Sequence, residues 1–197
     1  MTAKPPPVPF EHFRFTREQF YKLGELGFFD GKRVELIYGE VVETSPISWP
    51  HSLGVGLVTD ALAPLFSIGF WVSVQQPLFI PGTTPGSEPQ PDVAVIPGSR
   101  RGGTDHPTQA ALVVEVADTS LSYDTTTKAE LYATAGINDY WVLDLTNRQL
   151  HVFHDPLPLP TGLGATAYKT HLTLSPNDRV SPIASPAASI LVSDLLP

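Results

Sequence analysis

Two acidic residues lie in runs that are otherwise apolar. Asp92 opens the run PDVAVI, and Glu115 lies inside the run ALVVEVA. A carboxylate in a buried strand must be paired or must bind a metal ion to offset its lost hydration. Because strands that follow one another in the chain usually lie close together, we expect Asp92 and Glu115 to be near neighbours.

Such a pair of carboxylates is a ligand set that a hard cation prefers. Mg²⁺ binds oxygen, keeps several waters, and commonly takes one or two protein carboxylates together with a substrate phosphate. The bound ion can polarise a phosphoryl oxygen and lower the pKa of a bound water. The acid pair therefore predicts a Mg²⁺ site for phosphoryl chemistry, with Mn²⁺ as a substitute ion.

Two further side chains are candidates for the same site. Glu35 lies in the β-prone run VELI, where the alternation of a strand can turn it inward. Lys128 lies on a predicted helix directly after the run ALVVEVA, and it shares one helix face with Asp124 and Tyr132. A lysine near a metal-bound water can stabilise the charge that develops on a phosphate.

Each candidate has a simpler interpretation when it is taken alone. Asp92 could cap a turn, and Glu115 could pair with a buried arginine or lysine. Lys128 could be a surface residue in an i,i+4 ion pair, and Glu35 could be a solvated strand residue. The metal-site hypothesis therefore depends on the joint pattern.

Length and composition fit one folded domain. The chain has 197 residues, of which 42% are hydrophobic and 16% charged, so it is not a disordered polyelectrolyte. It has no cysteine, which excludes disulfides, thiolate zinc sites and cysteine nucleophiles. A formal net charge of −8 disfavours a protein that coats nucleic acid non-specifically, but it allows a local basic patch. Without a signal-peptide h-region or a membrane-length apolar run, we expect a cytoplasmic protein with no membrane partner.

The distribution of proline and serine predicts three segments. Residues 1–14 are proline-rich and expected to be irregular, and residues 15–176 are expected to form the domain. Residues 177–197 are rich in proline and serine, and we expect them to pack on the domain or to trail it.

Capping and turn signals predict the first elements of the domain. Thr16 and Gln19 form a capping box at the start of a helix. The runs RVELI and EVVET flank Tyr38-Gly39 and predict a hairpin. Ser48 is placed to cap a second helix over residues 49–66.

Strands dominate the rest of the chain. WVSVQQPLFI is predicted to form one strand, followed by strands in PDVAVI and ALVVEVA. A helix is predicted over 124–135, before strands in DYWVLDL, QLHVFH and YKTHLTL. Because strands outnumber helices and the middle strands are short and apolar, we expect an α/β (α+β) fold. In it, helices flank a central mixed β-sheet, and extra β-hairpins lie outside that sheet.

In their order and spacing, these stretches resemble the Uma2 family (DUF820) of restriction-endonuclease-like proteins, within the PD-(D/E)XK nuclease superfamily. The resemblance covers roughly residues 16–155 and ends in the spacing K-x-x-x-Y-x-x-x-G-x-x-x-YW. The matching stretches are VELIYGEVV, SPISWPH, PDVAVI and LVVEVADTSLSYDTTTKAELYATAGINDYWVLD. The resemblance implies a restriction-endonuclease-like core and metal-dependent hydrolysis of DNA.

The resemblance also implies roles for individual residues. Asp92 matches the aspartate of the PD motif, Glu115 matches the second acidic ligand, and Glu35 matches an early glutamate that completes the site. The superfamily motif has a lysine two residues after the second acid, a position that Ala117 holds here. Lys128 on the following helix is therefore expected to supply the catalytic lysine.

Other polar residues are candidates for substrate contacts. His51 matches a histidine in the early helix of the family, and Tyr132 and Arg100 are further candidates. His151 and His154 are three residues apart on a predicted strand, so they face opposite sides and make a poor metal pair.

The candidate metal site and the acidic net charge favour two different functions. The first is a Mg²⁺-dependent endonuclease that cuts DNA, and we expect it to be a homodimer because cutting both strands of a duplex is simplest with two sites. The alternative is a non-catalytic binding protein that has kept a nuclease-like fold, which the acidic net charge favours.

Overall fold

The computed structural model of the protein describes residues 12–83, 85–158 and 166–197, so most of the predicted irregular segment 1–14 lies outside the described residues. No helix within these ranges has the length and apolarity needed to cross a membrane. The helices are α1 (Arg17–Glu25), α2 (Trp49–Leu62), α3 (Leu121–Tyr123), a π-helical turn (Asp124–Lys128), α4 (Ala129–Thr134) and a 3-10 turn (Val192–Asp194). The strands are β1 (Val34–Ile37), β2 (Glu40–Glu43), β3 (Phe70–Val74), β4 (Val93–Pro97), β5 (Leu112–Ala117), β6 (Asp139–Asp144), β7 (Gln149–Pro158), β8 (Thr166–Leu174), β9 (Arg179–Val180) and β10 (Ile190–Leu191).

A six-stranded mixed sheet forms the centre of the fold, with the strand order β3-β4-β5-β6-β7-β8. β5 and β6 are parallel, and the other neighbouring pairs are antiparallel. The parallel pair needs a long crossover, which the helical segment 121–134 provides. β1 and β2 form a separate hairpin, and so do β9 and β10. The predicted fold class is confirmed.

Helices cover both faces of the sheet, and each face has its own apolar core. Val55, Val58 and Leu62 of α2 pack on one face, against residues that include Val114 and Val116 of β5. Leu131 and Tyr132 of α4 pack on the other face, where they join alternate residues of the same strands. The side chain of Glu115 lies on the α4 face, because strand side chains alternate.

The C-terminal segment contributes to the first of these cores. Val180, Ile190, Val192, Leu195 and Leu196 are buried in the core beneath α2. This part of the chain therefore packs on the sheet within the described structure.

Local sequence signals account for the elements that lead into the site. Thr16 accepts a hydrogen bond from the Gln19 backbone N–H, and the Gln19 side chain accepts one from the Thr16 N–H, as the predicted capping box requires. The hairpin turn places Tyr38 at φ 49° and Gly39 at φ 77°, the paired positive φ values of a two-residue turn. The register of this hairpin turns Glu35 inward.

Three predicted elements differ from the structure. WVSVQQPLFI does not form one strand, because Gln75 adopts φ 49° and its N–H donates to the carbonyls of Pro91 and Asp92. The second helix ends at Leu62, four residues earlier than predicted, since Pro64 cannot continue it. The third helical segment begins at residue 121 and includes a π turn that the spacing of apolar residues did not indicate.

Two glycine substitutions are expected to change stability in opposite directions. A Cβ at Gly39 would lie 2.7 Å from both Arg14 Cβ and Pro85 Cγ, at a left-handed φ, so Gly39→Ala should lower the free energy of unfolding by about 1–2 kcal/mol or more. A Cβ at Gly56, on the exposed side of α2, meets nothing within 4 Å, so Gly56→Ala should raise it by about 0.5–1 kcal/mol. Urea denaturation of both variants tests this, and equal effects at the two positions would contradict it.

Candidate active site

Four predicted site residues meet in one cleft of about 480 Å³. Glu35 comes from β1, Asp92 immediately precedes β4, Glu115 lies in β5, and Lys128 ends the π turn. All four are buried; Glu115 is 2% exposed and Lys128 is 6% exposed. The tertiary structure thus brings together four charged groups that are up to 93 residues apart in the chain.

Lys128 lies between two of the carboxylates. Its Nζ donates to Glu35 Oε1 at 3.2 Å and to Glu115 Oε1 at 3.0 Å. Burial opposes the charge of Lys128, but Glu115 and Glu35 outweigh that effect and raise its pKa. The ammonium group is therefore protonated at neutral pH. This pairing also matches the simpler interpretation of Glu115 as one member of a buried ion pair.

Glu115 accepts three hydrogen bonds. Besides Lys128, the Tyr132 hydroxyl donates to Oε1 at 2.7 Å and the Asp92 backbone N–H donates to Oε2 at 3.3 Å. Burial raises the pKa of Glu115 well above 4.5, against the opposing effect of Lys128, and Asp92 raises it further. A further positive charge beside this carboxylate would stabilise its ionised form.

Asp92 is held by donors on both carboxylate oxygens. Oδ2 accepts from the Val116 N–H at 2.9 Å, while Oδ1 lies 3.0 Å from His51 Nε2 and 3.2 Å from Gln75 Nε2. Burial alone would raise the pKa of Asp92, but the contact with His51 and the other donors lowers it below 3.8. Asp92 therefore stays ionised although it is buried.

Glu35 carries an oxygen without a partner. Oε1 accepts from the Gln90 N–H at 2.8 Å and from Lys128. Oε2 is buried, and no donor within the described part of the chain reaches it. An unsatisfied buried carboxylate oxygen costs free energy, so this position is suited to a cation or a bound water.

Asp124 is a cleft residue whose role in the site was not predicted. It is buried at the start of the π turn, lines the cleft, and accepts a hydrogen bond from Ser120 Oγ at 2.5 Å. Burial raises its pKa above 3.8. The signal in the sequence was the shared helix face with Lys128 and Tyr132, which indicated only an ion pair. π turns often occur at functional sites because they redirect side chains.

The remaining predicted residues lie in different places. His51 lines the cleft beside Asp92. Tyr132 is fully buried behind Glu115, so its hydroxyl orients that carboxylate. Arg100 lies elsewhere, with Nη2 donating to the Val72 carbonyl and its guanidinium 4.7 Å from the centre of the Trp71 ring.

Negative charge dominates the cleft. Among the cleft residues, the strong bases are Arg33 and Lys128. Lys32, next to Arg33 in the chain, pairs with Glu43 at the surface. The acids that line the cleft are Glu35, Glu43, Asp92, Glu115, Asp118 and Asp124. The cleft by itself therefore favours cations and repels anions. An anion such as a phosphate would be attracted only after a cation has bound.

A match to a family model shows which protein family this chain belongs to. The model of the family Uma2, described as "Putative restriction endonuclease", matches residues 17–186. The chain belongs to the Uma2 family. This membership confirms the resemblance seen in the sequence and supports a nuclease function.

A solved structure shares the fold of this Uma2 protein. The crystal structure of a "putative nuclease belonging to DUF820" from Anabaena variabilis ATCC 29413 matches with a TM-score of 0.65 and 16% identity. The match covers 92% of this chain and 97% of that chain. No curated protein matches the chain in a sequence search.

The contact between His51 and Asp92 leads to a prediction about the titration of His51. Contact with Asp92 raises the pKa of His51 above 6.5, although burial opposes the shift. Asp92→Asn should therefore lower the pKa of His51, as measured by an NMR pH titration. His154, whose pKa is raised by Asp139, should not move. An unchanged His51 pKa would refute the pairing.

The same pair has a predictable effect on stability. The folded-state pKa of His51 is raised. The contribution of His51 to the free energy of unfolding is therefore fully present below the ordinary pKa of histidine, and it is lost as the pH rises through the raised pKa. The folded-state pKa of Asp92 is lowered. The contribution of Asp92 to the free energy of unfolding is therefore present above pH 3.8, the ordinary pKa of aspartate, and it is lost as the pH falls through the lowered pKa.

Removal of Lys128 should destabilise the fold. Lys128→Met leaves the buried carboxylates of Glu35 and Glu115 without their cation and should cost about 3–5 kcal/mol in the free energy of unfolding. Adding Glu115→Gln should recover part of that loss. Lys22→Met breaks an exposed pair with Glu25 and should change stability by less than about 1 kcal/mol in urea denaturation. Equal losses for Lys128→Met and Lys22→Met would contradict the argument.

Proposed function

We propose that this Uma2 protein is a metal-dependent endonuclease that hydrolyses DNA phosphodiester bonds. The observation that carries the proposal is the convergence of Glu35, Asp92, Glu115 and Lys128 in one cleft. When all three carboxylates are ionised, one ammonium group leaves an excess of negative charge, and a divalent cation would balance it and favour the ionised form of Glu115.

The residues present fit Mg²⁺ or Mn²⁺. Asp92 and Glu115 lie side by side, because the Asp92 backbone N–H donates a hydrogen bond to the Glu115 carboxylate. Glu35 Oε2 is buried without a hydrogen-bond partner in the described residues. Within residues 12–83, 85–158 and 166–197, no three histidine, aspartate or glutamate side chains form a ready-made metal cluster. Mg²⁺ does not need one, because it takes one or two protein carboxylates and keeps its waters. When bound, such an ion polarises a phosphoryl oxygen and makes a bound water more acidic.

Each side chain then has a distinct role. Asp92 and Glu115 would hold the cation, and Glu35 would complete the site from the hairpin. Lys128 is protonated and cannot accept a proton, so its role is to stabilise negative charge on the phosphate near the nucleophile. His51 keeps Asp92 ionised and oriented through its 3.0 Å contact.

DNA is the substrate that the family relationship favours. Cleavage of both strands of a duplex is simplest with two copies of the site, so we also propose a homodimer. Arg33 is the cleft cation that does not pair with Glu35 or Glu115, and it is placed to contact a phosphate.

The acidity of the cleft favours a second candidate function. Six acids surround the cleft and two strong bases oppose them, which gives little attraction for a polyanion in the absence of a metal. A protein of this kind would bind a cation or a partner at the cleft without turnover.

Plasmid nicking tests the proposed nuclease. Supercoiled plasmid should be nicked by the protein with Mg²⁺ or Mn²⁺, and chelation should stop the reaction. Asp92→Ala and Glu115→Ala should reduce nicking to the level without metal, since each removes a proposed ligand. Asp60→Ala removes an exposed aspartate of α2 outside the cleft and should leave nicking unchanged.

Calorimetric titration with Mg²⁺ and Mn²⁺ separates the two candidates. Metal binding without cleavage of any DNA or RNA substrate supports the non-catalytic function. Absence of both binding and cleavage, with the fold intact by circular dichroism, contradicts the metal-dependent nuclease.

A further inference from the structure

A second group of ligating side chains lies on β7 and β8, outside the acidic cleft. His151 Nδ1 is 3.1 Å from His171 Nε2. His151 pairs with Thr173 and Phe153 pairs with His171 in the antiparallel register, so the two imidazoles are diagonal neighbours on one sheet face. His154, on the opposite face of β7, contacts Asp139.

Both imidazole rings are held in place. The ring of His171 stacks on Phe153 with centroids 4.2 Å apart and planes 8° apart. Nε2 of His151 is buried without a hydrogen-bond partner in the described residues, and it faces the buried Asp144, whose Oδ2 is 3.8 Å away. At 3.8 Å this carboxylate is beyond hydrogen-bond distance and accepts instead from Asn147, but a small approach would give the carboxylate–imidazole pair that commonly orients a metal-binding histidine.

The spacing of the two nitrogens fits adjacent ligands of one metal ion. Two imidazole nitrogens 3.1 Å apart must share either a proton or a cation. Metal–nitrogen bonds of about 2.0–2.1 Å place adjacent ligand atoms about 2.9–3.4 Å apart in octahedral or tetrahedral sites. Thr173 Oγ1 lies 3.3 Å from His151 Nδ1 and adds an oxygen on the same face.

We propose that His151 and His171 bind a divalent transition-metal ion, represented by Zn²⁺, at a site separate from the acidic cleft. Imidazole nitrogen suits Zn²⁺, Ni²⁺ and Cu²⁺, whereas Mg²⁺ prefers oxygen. Two imidazoles leave coordination positions for water and for the Thr173 hydroxyl. The protein would then select between two classes of cation by ligand chemistry.

The two sites are close but distinct. Glu115 pairs with Val142, and Val142 pairs with His151, so two strand spacings separate Glu115 from His151. At about 4.8 Å for each spacing, their backbones are about 10 Å apart. The proposed zinc site does not depend on the nuclease proposal, but its test must separate zinc at the histidines from zinc at the carboxylates.

Calorimetric titration of the full chain with Zn²⁺ in excess Mg²⁺ tests the site, because Mg²⁺ competes for the carboxylates and not for imidazole. We expect one Zn²⁺ per chain. His171→Ala should weaken binding at least about tenfold. His154→Ala is the matched control, because it lies on β7 like His151 but on the opposite sheet face, and it should leave the affinity unchanged.

The outcomes separate the alternatives. Failure of the unmodified chain to bind Zn²⁺ overturns the proposal and leaves the pair as an imidazole–imidazole hydrogen bond. Loss of binding in Glu115→Ala but not in His171→Ala also overturns it, since the ion would then be in the cleft. His171→Asn provides a second variant if His171→Ala perturbs the fold by circular dichroism. Zinc-dependent shifts of the His151 and His171 imidazole signals in NMR spectra would locate the ion directly.

Discussion

One buried ammonium group joins three parts of the fold. Lys128, at the end of the π turn, contacts Glu35 on the hairpin and Glu115 on β5. Each carboxylate would be costly to bury alone, and Lys128 would be equally costly without them. The hairpin, the central strand and the crossover helix are therefore connected through the charged groups that form the candidate site.

This arrangement links the electrostatics of the site to its chemistry. Lys128 neutralises only part of the negative charge around it, and Glu35 keeps a buried oxygen without a partner. Asp92 does not share Lys128 with Glu35 and Glu115. Its oxygens instead contact His51, Gln75 and the Val116 N–H. The site thus combines a fully hydrogen-bonded Asp92 with a buried oxygen of Glu35 that has no partner in the described residues.

The sheet also separates the carboxylates of the cleft from the paired imidazoles of His151 and His171. Glu115 lies in the central strand beneath the helical crossover, while His151 and His171 lie toward the edge, where β7 pairs with β8. Both groups occupy the same face of one rigid sheet, so their separation follows from strand order. The two cations that we propose would therefore use different side chains of one domain.

The sequence by itself determined the elements with short-range signals and the identity of the central acids. Thr16 and Gln19 predicted the first helix, Tyr38-Gly39 predicted the hairpin, and apolar runs around Asp92 and Glu115 placed both acids in or beside buried strands. These signals succeed because caps, turns and strand alternation depend on neighbours within a few residues.

Only the tertiary structure decided which side chains meet. The π turn that directs Asp124 and Lys128 into the cleft, the left-handed Gln75 that ends β3, and the position of Arg100 away from the cleft have no local signal. The same is true of His151 and His171, which meet through the register of β7 and β8. Strand register and helix docking are set by packing between segments far apart in the chain. The sequence therefore predicted the types of the candidate residues, but it did not predict which of their side chains come together.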